Sequence, residues 1–129
     1  MPGPLIFIAT NKLKPGALEI ERQRVSELAT WLKAHEPRLI AFNEYAEEDR
    51  NVAVVQVHPD PASMEFHMDL VCDEAERAYA DTLEATTSIQ VFGTPTPAML
   101  DMLRRQAGSG VPTSVAPLHL AGFTRPSRS

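Results

Sequence analysis

Two stretches of this chain are apolar on both sides of an extended backbone, and that restricts how it can fold. In Leu5-Ile6-Phe7-Ile8-Ala9, residues Leu5, Phe7 and Ala9 oppose Ile6 and Ile8; further on, Val52 and Val54 oppose Ala53, Val55 and Val57. Successive strand side chains point to opposite faces, so a sheet with one wet face alternates apolar with polar residues. These runs do not alternate, so both faces need cover, and one layer of helices covers one face. A second copy of the sheet across a two-fold axis is the expected cover, closing a homodimeric barrel. The competing arrangement is a monomer whose C-terminal helix and strand fold over that face.

The remaining pattern places these strands in order. Leu5–Thr10 reads as a strand stopped by Lys14-Pro15-Gly16. From Ala17 to His35, Leu18, Val25, Leu28 and Leu32 recur at helical spacing, and Glu36-Pro37 ends that helix. Arg38–Ala46 and Asn51–His58 flank the polar turn Glu47-Glu48-Asp49-Arg50 and form a hairpin. Asp60-Pro61 is an N-cap followed by proline at the first helical position, opening a helix with Met64, His67, Met68 and Val71 on one stripe. Asp73 is placed to cap a second helical stretch running through Leu83. Thr87–Phe92 is a strand ended by Gly93, Pro97–Gln106 a short helix, and Ser114–Phe123 a last strand whose Pro117 indicates a sheet edge.

The first six elements give an α+β fold of ferredoxin-like βαββαβ type: an antiparallel sheet with helices on one face, plus an extra C-terminal helix and strand. Residues 1–123 are expected to form a single domain, with 124–129 a disordered polar tail.

Composition closes off several functions. A net charge of −5, with Arg104-Arg105 the one adjacent basic pair, gives no footprint for nucleic acid or an anionic membrane. Leu5–Ala9 is too short for a membrane span, and the single Cys72 fits a reducing compartment, so a cytoplasmic location is expected. No phosphate loop, nucleophile elbow, zinc motif or cysteine pair is present, and the four histidines lack ligand spacing. No metal and no cofactor are expected.

Polar residues inside the strands are the candidate site. With an even-length turn, Leu39, Ala41, Asn43 and Tyr45 would share a face with Val52, Val54, Gln56 and His58. His119 would join from the last strand and Asn11 from the end of the first, making an apolar surface with convergent polar groups, as in a small-molecule pocket. Asn43, Tyr45 and Gln56 could instead pair with one another or with backbone. His67 lies on the apolar stripe of its helix and so faces the sheet, where an imidazole can act as base near neutral pH. A core histidine satisfied by a neighbour is the structural alternative.

The segment Phe7-Ile8-Ala9-Thr10-Asn11-Lys12-Leu13-Lys14-Pro15-Gly16 resembles the strand-to-helix junction of antibiotic biosynthesis monooxygenase-like proteins. Val57-His58-Pro59-Asp60-Pro61-Ala62-Ser63-Met64-Glu65-Phe66-His67 is similar to that family's strand, acidic turn and helix ending in Ala-x-x-x-x-His. The resemblance runs from Leu5 to Phe92. It implies a dimeric α+β barrel with a pocket in each subunit. In some members it implies oxygenation of phenolic polyketides without metal or flavin, the deprotonated substrate giving an electron directly to oxygen. His67 is the one residue it carries over; the residues after it, Met68-Asp69-Leu70-Val71-Cys72, lack the further His or aromatic groups common in the family. Two functions are therefore expected to compete: a cofactor-independent monooxygenase-like enzyme on an aromatic or polyketide-like substrate, and a non-catalytic or stress-type barrel that holds a hydrophobic ligand.

Overall fold

The computed structural model describes residues 3–108 and 110–125. Its elements run β1 (Leu5–Leu13), α1 (Leu18–His35), β2 (Ala41–Ala46), β3 (Asn51–His58), α2 (Pro61–Leu70), α3 (Cys72–Asp81), β4 (Leu83–Phe92), α4 (Pro97–Ala107) and β5 (Thr113–Ala116). The strands form one sheet in the order β2-β3-β1-β4-β5. The first four strands pair antiparallel, as the ferredoxin-like expectation requires. β5 departs from it by lying parallel to β4, so the sheet is mixed. A parallel neighbour needs a crossover connection, and α4 supplies it.

Alternation along β1 sets the layers. Leu5, Phe7, Ala9, Asn11 and Leu13 are buried beneath the helices, while Ile6, Ile8 and Thr10 look out of the other face. On the helix side, Leu5, Phe7 and Ala9 pack with Met64 and Met68 of α2, Ile89 and Val91 of β4, and Met99 and Leu103 of α4. A second cluster joins Leu13, Ala17, Val52, Ala78 and Leu83. Because Met99 and Leu103 enter this core, α4 lies with the other helices. It does not cover the opposite face, as the monomeric alternative required. On that face Ile6, Ile8, Ala53, Val55 and Val57 remain half-buried, and Tyr45 and Phe92 are exposed.

Several expected borders shift for local reasons. α3 is capped by Val71, directly against α2, and Asp73 sits in its first turn. Thr82 closes α3 through its N–H to the Ala78 carbonyl, so Leu83, expected to be helical, begins β4. The last strand ends at Ala116 because Pro117 has no N–H to continue a ladder. Leu118, Leu120 and Phe123, expected in that strand, are instead exposed and irregular. Of the expected polar tail, 126–129 lie outside the described residues. No helix among those described is long and apolar enough to cross a membrane.

The position of α4 is testable. Met99 is fully buried, so Met99→Ala should lower unfolding free energy by about 2–5 kcal/mol in urea titrations. A loss below about 0.5 kcal/mol, the usual range of surface changes, would show that α4 is not part of the core.

Candidate functional site

A cavity of about 130 Å³ lies between the inner sheet face and the helices. An apolar cavity of roughly 150 Å³ accommodates benzene, so this one has room for about one aromatic ring. Phe7, Phe42, Met64, Met68 and Ile89 supply its apolar walls. Its polar groups come from eight different elements.

His67 is positioned by the start of α2. The Asp60 carboxylate accepts from the Ser63 N–H at 2.8 Å and Pro61 occupies the first turn, which fixes the helical phase. Three-to-four residue spacing then turns Met64, His67 and Met68 inward, where all three are buried. The His67 Nδ1 lies 2.6 Å from Glu36 Oε1, and both side chains are 3% exposed. A carboxylate only accepts, so Nδ1 is the nitrogen that donates, and in the neutral tautomer Nε2 is the one with the lone pair. Nε2 has no hydrogen-bond partner among the described residues, and His67 lines the cavity. This is the arrangement of an oriented imidazole base.

His58 neighbours it, with ring centroids 5.3 Å apart, yet His58 is fully buried and does not line the cavity. Its Nε2 donates to Gln56 Oε1 at 2.9 Å, while Nδ1 is buried without a partner among the described residues. Burial, then the proximity of His67, pushes the His58 pKa down to about 3. The ring is therefore neutral at physiological pH. Its bond occupies the Gln56 oxygen and leaves the Gln56 amide nitrogen for the cavity.

A second relay crosses from α3 to β1. Tyr79 donates to Thr86 Oγ1, which donates to Asn11 Oδ1 at 2.7 Å. Thr86 reaches this position through a bulge: the register passes from Thr10↔Ser88 to Asn11↔Thr86, leaving Thr87 unpaired. Without that extra residue Thr86 and Ile89, three apart, would face opposite sides. Asn11, its oxygen occupied, presents its amide nitrogen to the cavity.

The opposite wall holds a carboxyl pair. Glu21 of α1, 1% exposed, accepts from Arg24 at 2.9 and 2.7 Å and from Thr82 Oγ1 at 2.7 Å. Glu44 of β2 lines the cavity and hydrogen-bonds Glu21. Burial alone would raise the Glu21 pKa, but its bonds to Arg24, Glu44 and Thr82 hold it below the ordinary carboxylate value. Glu44 goes the other way: burial and the Glu21 charge push it up to about 9.

The structure thus brings His67, Gln56 and Asn11 to one cavity and does not bring the other expected residues there. Asn43 and Tyr45 are exposed on the other face, because the hairpin connection is odd. Ala46 pairs with Val52, and Phe42 and Glu44, not Asn43 and Tyr45, share the face of Gln56 and Val54. His119 is exposed in the irregular segment after β5. Sequence reasoning missed Glu36, Glu44 and Glu21. For Glu21 a signal existed: with Arg24 it continues the helical stripe of Leu28 and Leu32. Glu36 is the residue that ends α1, read only as a helix stop.

The fold is ferredoxin-like α+β and is shared with solved structures that include a putative antibiotic biosynthesis monooxygenase. Over 97% of its length the chain is similar to the crystal structure of MupZ from Pseudomonas fluorescens, with TM-score 0.71, 14% identity and 91% of that chain covered. Over 65% of its length it is similar to a putative antibiotic biosynthesis monooxygenase from Bacteriodes thetaiotaomicron, with TM-score 0.56, 16% identity and 83% of that chain covered. Identities of this order establish a shared fold and nothing finer. No protein-family model matches the chain, and no curated protein matches it by sequence.

The depressed His58 gives a stability test. Unfolded histidine binds a proton below about pH 6.5, whereas folded His58 resists protonation down to about 3. Its contribution is therefore full above pH 6.5 and is lost as pH falls through that window. Thermal melts of wild type and His58→Phe should diverge against the wild type as pH drops from 7 to 4. Parallel profiles would mean that His58 is not held neutral.

Proposed function

We propose that the chain is a cofactor-independent, monooxygenase-like enzyme acting on an aromatic or polyketide-like phenol. One observation carries the reading: His67, oriented by Glu36, presents a free Nε2 to an apolar cavity sized for about one ring. His67 removes the phenolic proton, and the amide nitrogens of Asn11 and Gln56 hydrogen-bond the resulting oxyanion. Apolar walls then favour transfer of an electron from the phenolate to oxygen. For an anthrone-type substrate the balanced outcome is a ring methylene and one O₂ going to a carbonyl and one water, the methylene carbon supplying all four electrons that reduce O₂. The chain's fold is that of antibiotic biosynthesis monooxygenase-type proteins. A non-catalytic barrel holding a hydrophobic ligand is the second reading, favoured by how completely the His67–Glu36 pair is buried.

We also propose a homodimer. Ile6, Ile8, Val55 and Val57 form an apolar sheet face that none of the described helices covers, and the exposed Leu118, Leu120 and Phe123 of the C-terminal segment offer further apolar contact. A cytoplasmic location goes with this reading, resting on the single Cys72.

Two experiments test these readings. His67→Phe would strand the buried Glu36 carboxyl and cost stability, so His67→Gln and Glu36→Gln are the better variants. Oxygen consumption with an anthrone-type phenol, whose hydroxyl-bearing ring alone enters the cavity, should fall about 10²- to 10⁴-fold in each, with melting temperatures close to wild type. Full turnover in a folded His67→Gln protein would leave the binding barrel as the function. Light scattering on a sizing column should give about twice the chain mass of 14.2 kDa, and a monomer at micromolar concentration would remove the barrel.

A further inference from the structure

The Glu44–Glu21 pair has no part in the proton abstraction above, yet Glu44 lines the same cavity. Two carboxyls in hydrogen-bond contact cannot both be ionised at ordinary cost; one keeps a proton. The contacts identify which one. Both oxygens of Glu21 already accept from Arg24, and one also accepts from Thr82, so Glu21 is the anion. The proton resides on Glu44 and is donated to Glu21. The remaining oxygen of the Glu44 carboxyl is a neutral acceptor, and Glu44 lines the cavity.

The charges around it matter as much. Arg24 is the cation in this wall, and its Nε, Nη1 and Nη2 are committed to Glu21 and Glu74. Glu74 of α3 is the further charge on this side, and His67 of α2 lies in the same cavity. An arriving carboxylate would thus meet an acceptor oxygen and the carboxylates of Glu21 and Glu74, and the one cation in that wall, Arg24, is already paired with both. A second observation points independently to a ligand here. Asn11 and Gln56 are each 6% exposed and line the cavity, and their amide nitrogens have no partner among the described residues.

We propose that the Glu44 carboxyl, held by Glu21, is a specificity-determining group that accepts a hydrogen bond from a neutral hydroxyl on an aromatic ligand and turns carboxylates away. The inference rests on the cavity being the substrate site, and it deepens that reading by naming the substrate class: hydroxyl-bearing, uncharged, about one ring at the buried end. A ligand hydroxyl on Glu44 and an oxygen held by the two amides would place the ring against the walls made by Phe42 and Met68. The raised pKa of Glu44 agrees with this geometry.

Benzyl alcohol, toluene, benzoate and benzylammonium are probes of matched size that differ in the group offered to Glu44. By chemical-shift titration at pH 7, wild type should bind benzyl alcohol about fivefold tighter than toluene, the worth of one hydrogen bond. Benzoate should bind at least tenfold more weakly than the alcohol. Glu44→Leu should bind toluene and lose the preference for the alcohol, whereas Glu44→Gln, which keeps an amide donor for Glu21 and an oxygen for the ligand, should retain it. A preference that survives in Glu44→Leu, benzoate bound as well as the alcohol, or benzylammonium bound tightest would each overturn the proposal. Binding of none of the probes would overturn it together with the cavity as a substrate site. Loss of oxygen turnover with selectivity intact would strike the His67 reading alone.

A ligand-free readout guards against variants that fold poorly. Glu44 is favoured protonated in the fold, and its folded value near 9 lies above the ordinary 4.5. Its stabilising contribution is therefore full below about pH 4.5 and is lost as pH rises toward 9. The melting temperature of wild type should fall relative to Glu44→Gln across that window. Parallel profiles would show that Glu44 carries no proton there and would overturn the proposal.

Discussion

β1 is hydrogen-bonded along both edges, to β3 from Leu5↔His58 through Lys12↔Asn51 and to β4 from Ile6↔Phe92 through Leu13↔Leu83. Every layer takes its position from that double pairing. Because alternation along a strand is fixed, anchoring Leu5, Phe7 and Ala9 beneath the helices also fixes which residues of β3 and β4 face inward. The helices then dock on a surface already decided, and Ile6 and Ile8 are committed to the other side. The uncovered apolar face and the cavity are thus two consequences of one constraint.

Buried polar groups in this inner layer come in pairs and chains, as burial demands. Glu36 satisfies His67, Gln56 satisfies His58, Thr86 satisfies Asn11, and Arg24 with Thr82 satisfies Glu21. In the first three cases one atom of the pair is occupied and another is left toward the cavity or the core. His58 Nδ1 and Ser63 Oγ are left toward the core and have no partner among the described residues, a cost of about 1–3 kcal/mol each. Those left toward the cavity, on His67, Asn11, Gln56 and Glu44, make it more than a packing defect. Half-satisfied polar groups around an apolar space are a common form of ligand site.

The α4–β5 region shows the same economy at the edge of the sheet. Thr96 caps α4 by accepting from the Met99 N–H, and Pro97 sits in the first turn, so the helix begins in the phase that buries Met99 and Leu103. β5 then adds to β4 in parallel, paired from Ile89↔Thr113 to Phe92↔Ala116. MupZ matches this chain over nearly its whole length, so this region has a counterpart there.

Sequence by itself determined the element types, their order and the two-faced apolar strands. These rest on local chemistry: β-branched runs, helical spacing, and the Asp60-Pro61 and Glu36-Pro37 punctuation. It also placed His67 inward, because a helix's phase follows from its cap. What only the tertiary structure decided was the pairing register and everything across it. The connection between β2 and β3 leaves an odd number of residues between Ala46 and Val52, and that one-residue difference exchanged Asn43 and Tyr45 for Phe42 and Glu44. Glu36 and His67, 31 residues apart, meet only when α1 and α2 pack on the same sheet face. Register and packing are long-range quantities. No local propensity encodes them, so the partners that give the site its chemistry appear only once the sheet is assembled.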